Sequence, residues 1–495
     1  MSTSTGVPLT SLPGVRRWLR RVRDDLRAGR SCLWLLPRGQ TFGPDCVADV
    51  LLAELLHELG DFILLPEGRV RAIATPTPSA LAQVSSMHWS GLAPMLDYDD
   101  GMSGFGTSSV AVATPAPKRP ATPAECLAEL LNRLAGELAD PAQPPTDWPR
   151  PITDRAESSP ADGVLARLVG KAAGSAELRP IVIQAWREET PFAAANFLRR
   201  LTATAKEAGL SPARRPRALV VATAEDLPPD LPDQLGREEI AVHWWWGAIS
   251  RLDTATVVAI NRPPTSSPAG RQQLLEAVVQ ATIVELCGPF LDVAATLAAN
   301  WSGSSGTLDD SLRQAVAETV ADDLGPLGRR EGAGGPGHRP SNRELASWSS
   351  GLVDNWDGNV RCHPAGDLAH RNAVTTRIWL AQHHALLPRL DDAREDFARV
   401  VSRRARIPLP QLVQQYGPQH IVESPASAVG DGDAGVTLAA MELGSMWGAH
   451  IKRDIILEKD ERRRLRILWE SRNRLAHRTP LDEARLRDLV AELGG

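Results

Sequence analysis

Lysine is nearly absent from this chain, supplying five of its 55 basic residues. With abundant Ala, Gly and Pro, that bias reflects a GC-rich coding sequence before it reflects function. Cysteine is sparse as well. The five (Cys32, Cys46, Cys126, Cys287, Cys362) are scattered with no pair at CxxC spacing, which excludes a zinc knuckle and a disulfide framework and points to a reducing compartment. No long apolar run is uninterrupted: the most apolar stretch, residues 274–301, carries Glu276, Glu285 and Asp292. The N-terminus is polar and then Arg-rich, with no apolar segment of the kind that directs export. A cytoplasmic protein with no membrane partner is therefore expected. Net charge is -5 and mean hydropathy -0.20, so nothing in the overall balance declares a polyanion partner. Any nucleic-acid surface has to be local. No internal repeat at a fixed period is visible.

What is present is organised in two styles. Over residues 15–30, Val15, Trp18, Leu19, Val22 and Leu26 recur at helical spacing with arginines on the other face. Asp24 and Asp25 interrupt that basic face, so a solvated surface is favoured over phosphate contact. Apolar runs at 31–36, 62–65, 180–186, 218–223 and 240–246 read as buried strands, with helices expected over 45–59 and 191–208. Residues 107–123 and 139–162 are Pro-, Ala-, Ser- and Thr-rich, as linkers or long surface loops are. Beyond residue 271 the pattern is almost wholly helical: one helix over 271–300, a Gly-rich loop over 327–342, then helices over 374–403, 436–453, 458–477 and 480–493. The cluster Trp348, Gly351 and Trp356–Gly358 reads as a packed winged or lid element. The predicted fold class is an α/β N-terminal domain with a parallel sheet (1–265), a helical lid or linker (266–370) and an all-α C-terminal helical bundle (371–495).

The opening order of helix, Gly29, apolar strand, turn-rich loop and helix resembles a P-loop NTPase of the STAND type. The phosphate tools that this resemblance requires are missing. The loop after the first strand has Gly39 and Gly43 but no Lys and no GK[ST], and the one Gly-Lys pair, Gly170-Lys171, precedes Ala172. The strand at 181–185 leads into Gln184, Trp186 and Arg187 where a metal-holding Asp is expected, with Glu188 and Glu189 just beyond. An inactive, nucleotide-incompetent module, with no cofactor, is the expectation. Trp244-Trp245-Trp246 could stack on unpaired bases, but alternating faces of a doubly covered strand favour a core role.

The most informative residues are Arg472-Asn473-Arg474-Leu475-Ala476-His477. They lie on a segment where Leu465, Leu468, Trp469, Arg472, Leu475 and Ala476 follow a helical stripe. Arg472 on that stripe needs a carboxylate, a phosphate or another subunit's polar groups to meet it, and Asn473 and His477 share a face four residues apart. The three are expected to converge on one phosphate. Thr479, Pro480 and Asp482 read as the cap of a following helix, which leaves His477 at a junction. A second candidate, Arg377 to His383 with His384, lacks the polar residue after its arginine and reads as packing.

Arg472-Asn473-x3-His477 fits the R-x4-6-H pattern of the HEPN superfamily of helical bundles, and the resemblance extends to the upstream helix around residues 377–394. It covers about a quarter of the chain. The resemblance implies a metal-independent endoribonuclease, with Arg472, Asn473 and His477 as its catalytic residues, RNA as substrate and no metal. It further implies a homodimer through the C-terminal domain. A bacterial defence, stress or toxin-type effector, with a regulatory or antitoxin protein as partner, would be the setting. Two other classes stand beside it: a non-catalytic dimerisation scaffold with an inactive HEPN domain, and a regulatory ATPase with an atypical P-loop.

Overall fold

The computed structural model describes residues 6–40, 46–60, 62–65, 123–137, 160–174, 179–188, 191–263, 270–316, 330–331, 337–368, 370–417 and 438–493. The chain divides into two compact units, one formed by residues 24–35 and 59–242, the other by 1–23, 36–58 and 243–495.

The sheet has five strands: β1 (Cys32–Leu36), β2 (Ile63–Leu64), β3 (Ile181–Gln184), β4 (Ala218–Thr223) and β5 (Ala241–Trp244), in the order β2-β3-β4-β1-β5. β2 pairs with β3 and β3 with β4 in parallel, Ile181 facing both Ile63 and Ala218. Every residue of β1 and β4 is buried, as continuous apolar runs dictate when both faces of a strand are covered. Helices α1 (Pro13–Arg27) and α2 (Val47–Leu59) flank β1 in the chain. α3 (Pro123–Glu137), α4 (Pro160–Gly174) and α5 (Pro191–Glu207) precede and follow β3, and α6 (Leu231–Arg237) lies between β4 and β5. The predicted stripe of α1 is fully confirmed, with Val15, Trp18, Leu19, Val22 and Leu26 each at most 2% exposed. The Trp triplet is core: Trp244 and Trp245 are 4% exposed and Trp246 is 0%, which removes base stacking there. Trp245 meets Trp18 edge-on at 5.0 Å.

The remainder is mostly helical. α7 (Arg251–Asn261) is capped by Ser250, whose side chain accepts from the Asp253 N–H. α8 (Gly270–Cys287) and α9 (Leu291–Asn300) replace the single helix expected over 271–300. Gly288 takes φ +55 and Pro289 follows, so the chain turns where an L side chain is strained and the next backbone N–H is missing. After α10 (Leu308–Ala315) comes β6 (Arg330–Glu331), which pairs antiparallel with β8 inside the stretch expected to be a loop. α11 (Leu345–Ser349) leads to the hairpin of β7 (Val353–Trp356) and β8 (Asn359–Cys362), turned by Asp357 and Gly358 at φ +51 and +77. That hairpin is what the Trp356–Gly358 cluster encodes. α12 (Pro364–Leu368), α13 (Arg371–Arg404), α14 (Leu409–Tyr416), α15 (Leu443–Ile451), α16 (Lys459–Ala476) and α17 (Glu483–Leu493) complete the chain. A core of Leu386, Leu390, Phe397, Met446, Leu465 and Leu468 lies among these helices, each at most 2% exposed.

The Pro-rich stretches expected at 107–123 and 139–162 fall largely outside the described residues, but the helices α3 and α4 border them. No described helix is long and apolar enough to cross a membrane.

Candidate functional site

α16 ends the way the sequence implies, by a local mechanism that can be read bond by bond. Leu465, Leu468 and Leu475 are fully buried on one face. Glu458 caps the N-terminus in a reciprocal box with Glu461, and Arg404 bridges the two carboxylates. At the other end His477 is the C-cap. The Arg478 N–H reaches the Leu475 carbonyl at 3.2 Å and the Thr479 N–H the Arg474 carbonyl at 2.8 Å. This is a Schellman closure built on Arg478 at φ +56, where glycine is usual. Trp379 of α13 pins the same turn, its indole N–H donating to the Leu475 carbonyl at 2.6 Å.

The closure exposes His477, and Asn473 sits one turn before it on the same face. Among the described residues neither side chain has a hydrogen-bond partner. Arg472 points elsewhere. Five residues of helix separate it from His477 by about 140° around the axis, and its Nη2 lies 3.3 Å from the Glu442 carboxylate, at the N-cap of α15. The helix therefore brings Asn473 and His477 together and turns Arg472 towards α15. The carboxylate that an arginine on the stripe requires is Glu442.

The following helix does not start at Thr479. Gln382 of α13 clamps Leu481, accepting its N–H at 2.7 Å and donating to its carbonyl at 3.0 Å, which holds residues 480–481 out of helical geometry. α17 begins two residues later, with Asp482 accepting from the Arg485 N–H at 2.9 Å. The second candidate is packing, as expected: Arg377 pairs with Asp367 at 3.4 Å, and the His383 ring lies 5.2 Å from that of Trp379.

In the sheet unit, ligands of open α/β sheets bind beyond the C-terminal strand ends where the strand order reverses, here the end of β1 between β4 and β5. The turn over residues 37–46 contains no lysine, and Gly43 lies outside the described residues. Glu188, the acid nearest the end of β3, is 9% exposed and paired with Arg133 of α3 at 2.7 Å. Glu189 is outside the described residues. A cavity of about 370 Å³ lined by Gly29–Ser31, Pro212, Arg215 and Glu239 opens at the N-terminal strand ends, the opposite edge. Among the described residues no group of His, Cys, Asp and Glu could hold a metal ion.

One polar cluster escapes sequence reasoning. Glu285 of α8 is 1% exposed and meets Arg251, Arg361 at 3.6 Å and His384 at 3.3 Å. Arg361 also donates to the Glu285 backbone carbonyl, and the Trp356 ring has guanidinium groups over it from Arg251 at 4.3 Å and Arg361 at 4.8 Å. Burial pushes Arg361 down to about 10, helped by the nearby Arg377. Glu285 as an acid inside an apolar run is the one legible sign. Its partners are distant in sequence.

Comparison with protein-family models finds no match, and neither does comparison with curated proteins. Among solved structures the chain is similar to the crystal structure of Cdc6p from Pyrobaculum aerophilum, at 12% sequence identity and a TM-score of 0.29 over 76% of this chain and 98% of that one. At that TM-score the likeness carries no argument about function.

Proposed function

We propose that the C-terminal helical region, residues 371–495, is a metal-independent endoribonuclease of the HEPN type, coupled to a P-loop-like, nucleotide-incompetent N-terminal module of the STAND type over 1–265 through the segment 266–370. The observation that supports it is the end of α16: an exposed imidazole and a carboxamide on one face, both without a partner among the described residues, one turn from an arginine held only by a surface carboxylate. RNA carries its own nucleophile. His477 acts as general base or acid: the 2'-hydroxyl gives up its proton as it attacks the adjacent phosphorus, the 5'-oxygen leaves and takes up a proton from an imidazolium or from water, and the products are a 2',3'-cyclic phosphate and a 5'-hydroxyl. Asn473 orients the imidazole or a phosphate oxygen, and Arg472 offsets charge on the phosphorane. Because one helix sets Arg472 and His477 about 140° apart, a second copy of the chain facing the first would complete the site. The missing lysine after β1 and the Arg133–Glu188 pair support a signal-receiving rather than an ATP-hydrolysing N-terminal module. A defence or stress role in the cytoplasm follows from this reading.

A second reading, a dimerising scaffold without catalysis, draws on the Glu442 carboxylate that neutralises Arg472. Incubating the wild type and His477→Ala with total RNA and with tRNA in excess EDTA separates the two. Cyclic-phosphate ends produced only by the wild type support the ribonuclease. Intact RNA with both proteins, together with dimers in solution, leaves the scaffold.

A further inference from the structure

Beside the motif lies an aromatic feature that the catalytic reading does not use. Trp447 of α15 and Trp469 of α16 stack face to face, centroids 5.6 Å apart and planes within 10°. Both indoles are half-buried and packed against the helical core. Two glycines shape their surroundings. A Cβ on Gly444 would lie 3.4 Å from the Trp469 Nε1, so the Trp469 indole edge lies over this glycine. One turn on, Gly448 has nothing within 4 Å of where its Cβ would be, which leaves open space next to Trp447.

The polar surroundings of this plate are rich in arginine close to the motif, with the carboxylates of Glu470 and Glu442 interleaved. On α16, Trp469 is three and four residues before Arg472 and Asn473, which places all three within one helical turn. Arg466 and Arg462 lie one and two turns before Trp469 on the exposed side, and Ala476, two turns after it, is exposed and offers no obstruction. Arg462 has no partner among the described residues. Arg466 is tied to Glu470 at 2.7 Å, both at the surface. A flat aromatic plate flanked by arginines and sited one turn from a phosphate-handling group is what an unpaired base with its backbone requires.

We infer that the Trp447–Trp469 stack is a subsite for an unpaired nucleobase of single-stranded RNA, with the base extending the stack into the open space at Gly448 while its phosphates run past Arg462, Arg466 and Arg472. The inference rests on the proposed reading of α16 as an RNA-handling helix and supplies its substrate class, unpaired rather than duplex RNA.

The test reads binding without cleavage, so that a protein that fails to cut RNA does not decide it. Fluorescein-labelled 2'-O-methyl oligonucleotides, which lack the attacking hydroxyl, are titrated with full-length protein and followed by anisotropy. The set comprises a single strand, the same strand with abasic positions, and a blunt duplex. The wild type is expected to prefer the base-bearing single strand over both others. Trp469→Leu weakens single-strand binding by about 5- to 100-fold, while Trp469→Phe keeps most of it. Gly448→Leu, which fills that open space and leaves both indoles in place, weakens it as well. Near-UV circular dichroism checks that each variant is folded, and the abasic strand with wild-type protein makes the same test without a substitution. Equal affinity for base-bearing and abasic strands, unchanged binding by Trp469→Leu and Gly448→Leu, or no binding of any oligonucleotide overturns the inference. The last result would leave the surface to a protein partner.

Discussion

Two buried groups in the β7–β8 region titrate in opposite senses, and their opposition gives a test of the packing there. Asp354 lies on β7 and accepts from the Gly247 N–H at 2.9 Å and the Asn355 N–H at 2.7 Å, yet burial outweighs these bonds and pushes its carboxyl up to about 7. His363, directly after β8, packs edge-on against Phe290 at 4.7 Å, and burial pushes its imidazole down to about 4. The folded state holds Asp354 protonated more readily than the unfolded chain does. Its contribution is complete below the ordinary value of 3.8 and is lost as pH rises to about 7. His363 behaves the other way: its contribution is complete above its ordinary value of 6.5 and is lost as pH falls to about 4. Each slope is at most about 1.4 kcal/mol per pH unit within its window. Between about pH 4 and 6.5 the two nearly cancel in the wild type, and each variant should unmask the other group. Asp354→Asn keeps an acceptor for Gly247 and removes the falling limb, so relative to the wild type it should gain on the order of 2–4 kcal/mol between pH 4 and pH 7. His363→Asn keeps an acceptor where Nδ1 takes the Ala365 N–H and should shift the difference the opposite way, on the order of 2–3 kcal/mol over pH 4–6.5. Urea midpoints followed by far-UV circular dichroism at four pH values between 4.5 and 7.5 give both difference curves. If Asp354→Asn runs parallel to the wild type across that range, the carboxyl is not held neutral and the reasoning fails.

Three further substitutions, one of them a control, test the helical region's polar supports. Arg361→Met leaves Glu285 with Arg251 and His384 only and frees the carbonyl at the end of α8, so a loss of about 3 kcal/mol is expected in urea unfolding. Arg399→Met, which breaks an exposed pair with Asp396, should change stability by less than about 0.5 kcal/mol and is the control. Gln382→Leu leaves the Leu481 N–H and carbonyl unmet in a buried site and should cost about 2–4 kcal/mol, with the fastest amide exchange gained at Leu481 and Asp482. An unchanged midpoint would mean that water replaces the carboxamide.

Much of the sheet is legible because a parallel strand covered on both faces leaves one signature, an unbroken apolar run, and β1, β3 and β4 all carry it. The helices α3 and α4 go unassigned in the sequence by the opposite circumstance: their apolar residues, such as Leu130, Leu134, Leu165 and Leu168, are spaced correctly but follow directly on the Pro-rich stretches 107–123 and 139–162, which read as linkers. Between α8 and α9 the apolar pattern continues through Cys287-Gly288-Pro289, and only the positive φ of Gly288 shows that the chain turns. β6 is illegible because two residues gain strand geometry from a partner, β8, that lies beyond a Gly-rich stretch. In the candidate site the helix, its end and the exposure of His477 follow from periodicity and composition. The partner of Arg472 does not, since Glu442 belongs to another helix, and neither does the Gln382 clamp that displaces the start of α17.

Two of the arginine–carboxylate pairs in this helical region differ in whether a ligand could compete for the arginine. Arg361 and Glu285 are 4% and 1% exposed, and taking Glu285 away from Arg361 strands a guanidinium away from water, at a cost of several kcal/mol. No ligand can compete for Arg361 at that cost. Arg472 and Glu442 are 44% and 58% exposed, where an ion pair contributes about 0–1 kcal/mol and water remains available to whichever partner is released. On the proposed function, a phosphate, with more charge and better geometry for a guanidinium than a single carboxylate oxygen at 3.3 Å, would displace Glu442 almost without penalty. The same weakness means that Glu442 holds the guanidinium away from other surface acids without sequestering it, so the carboxylate that favours a scaffold on charge alone favours a replaceable anion on energy.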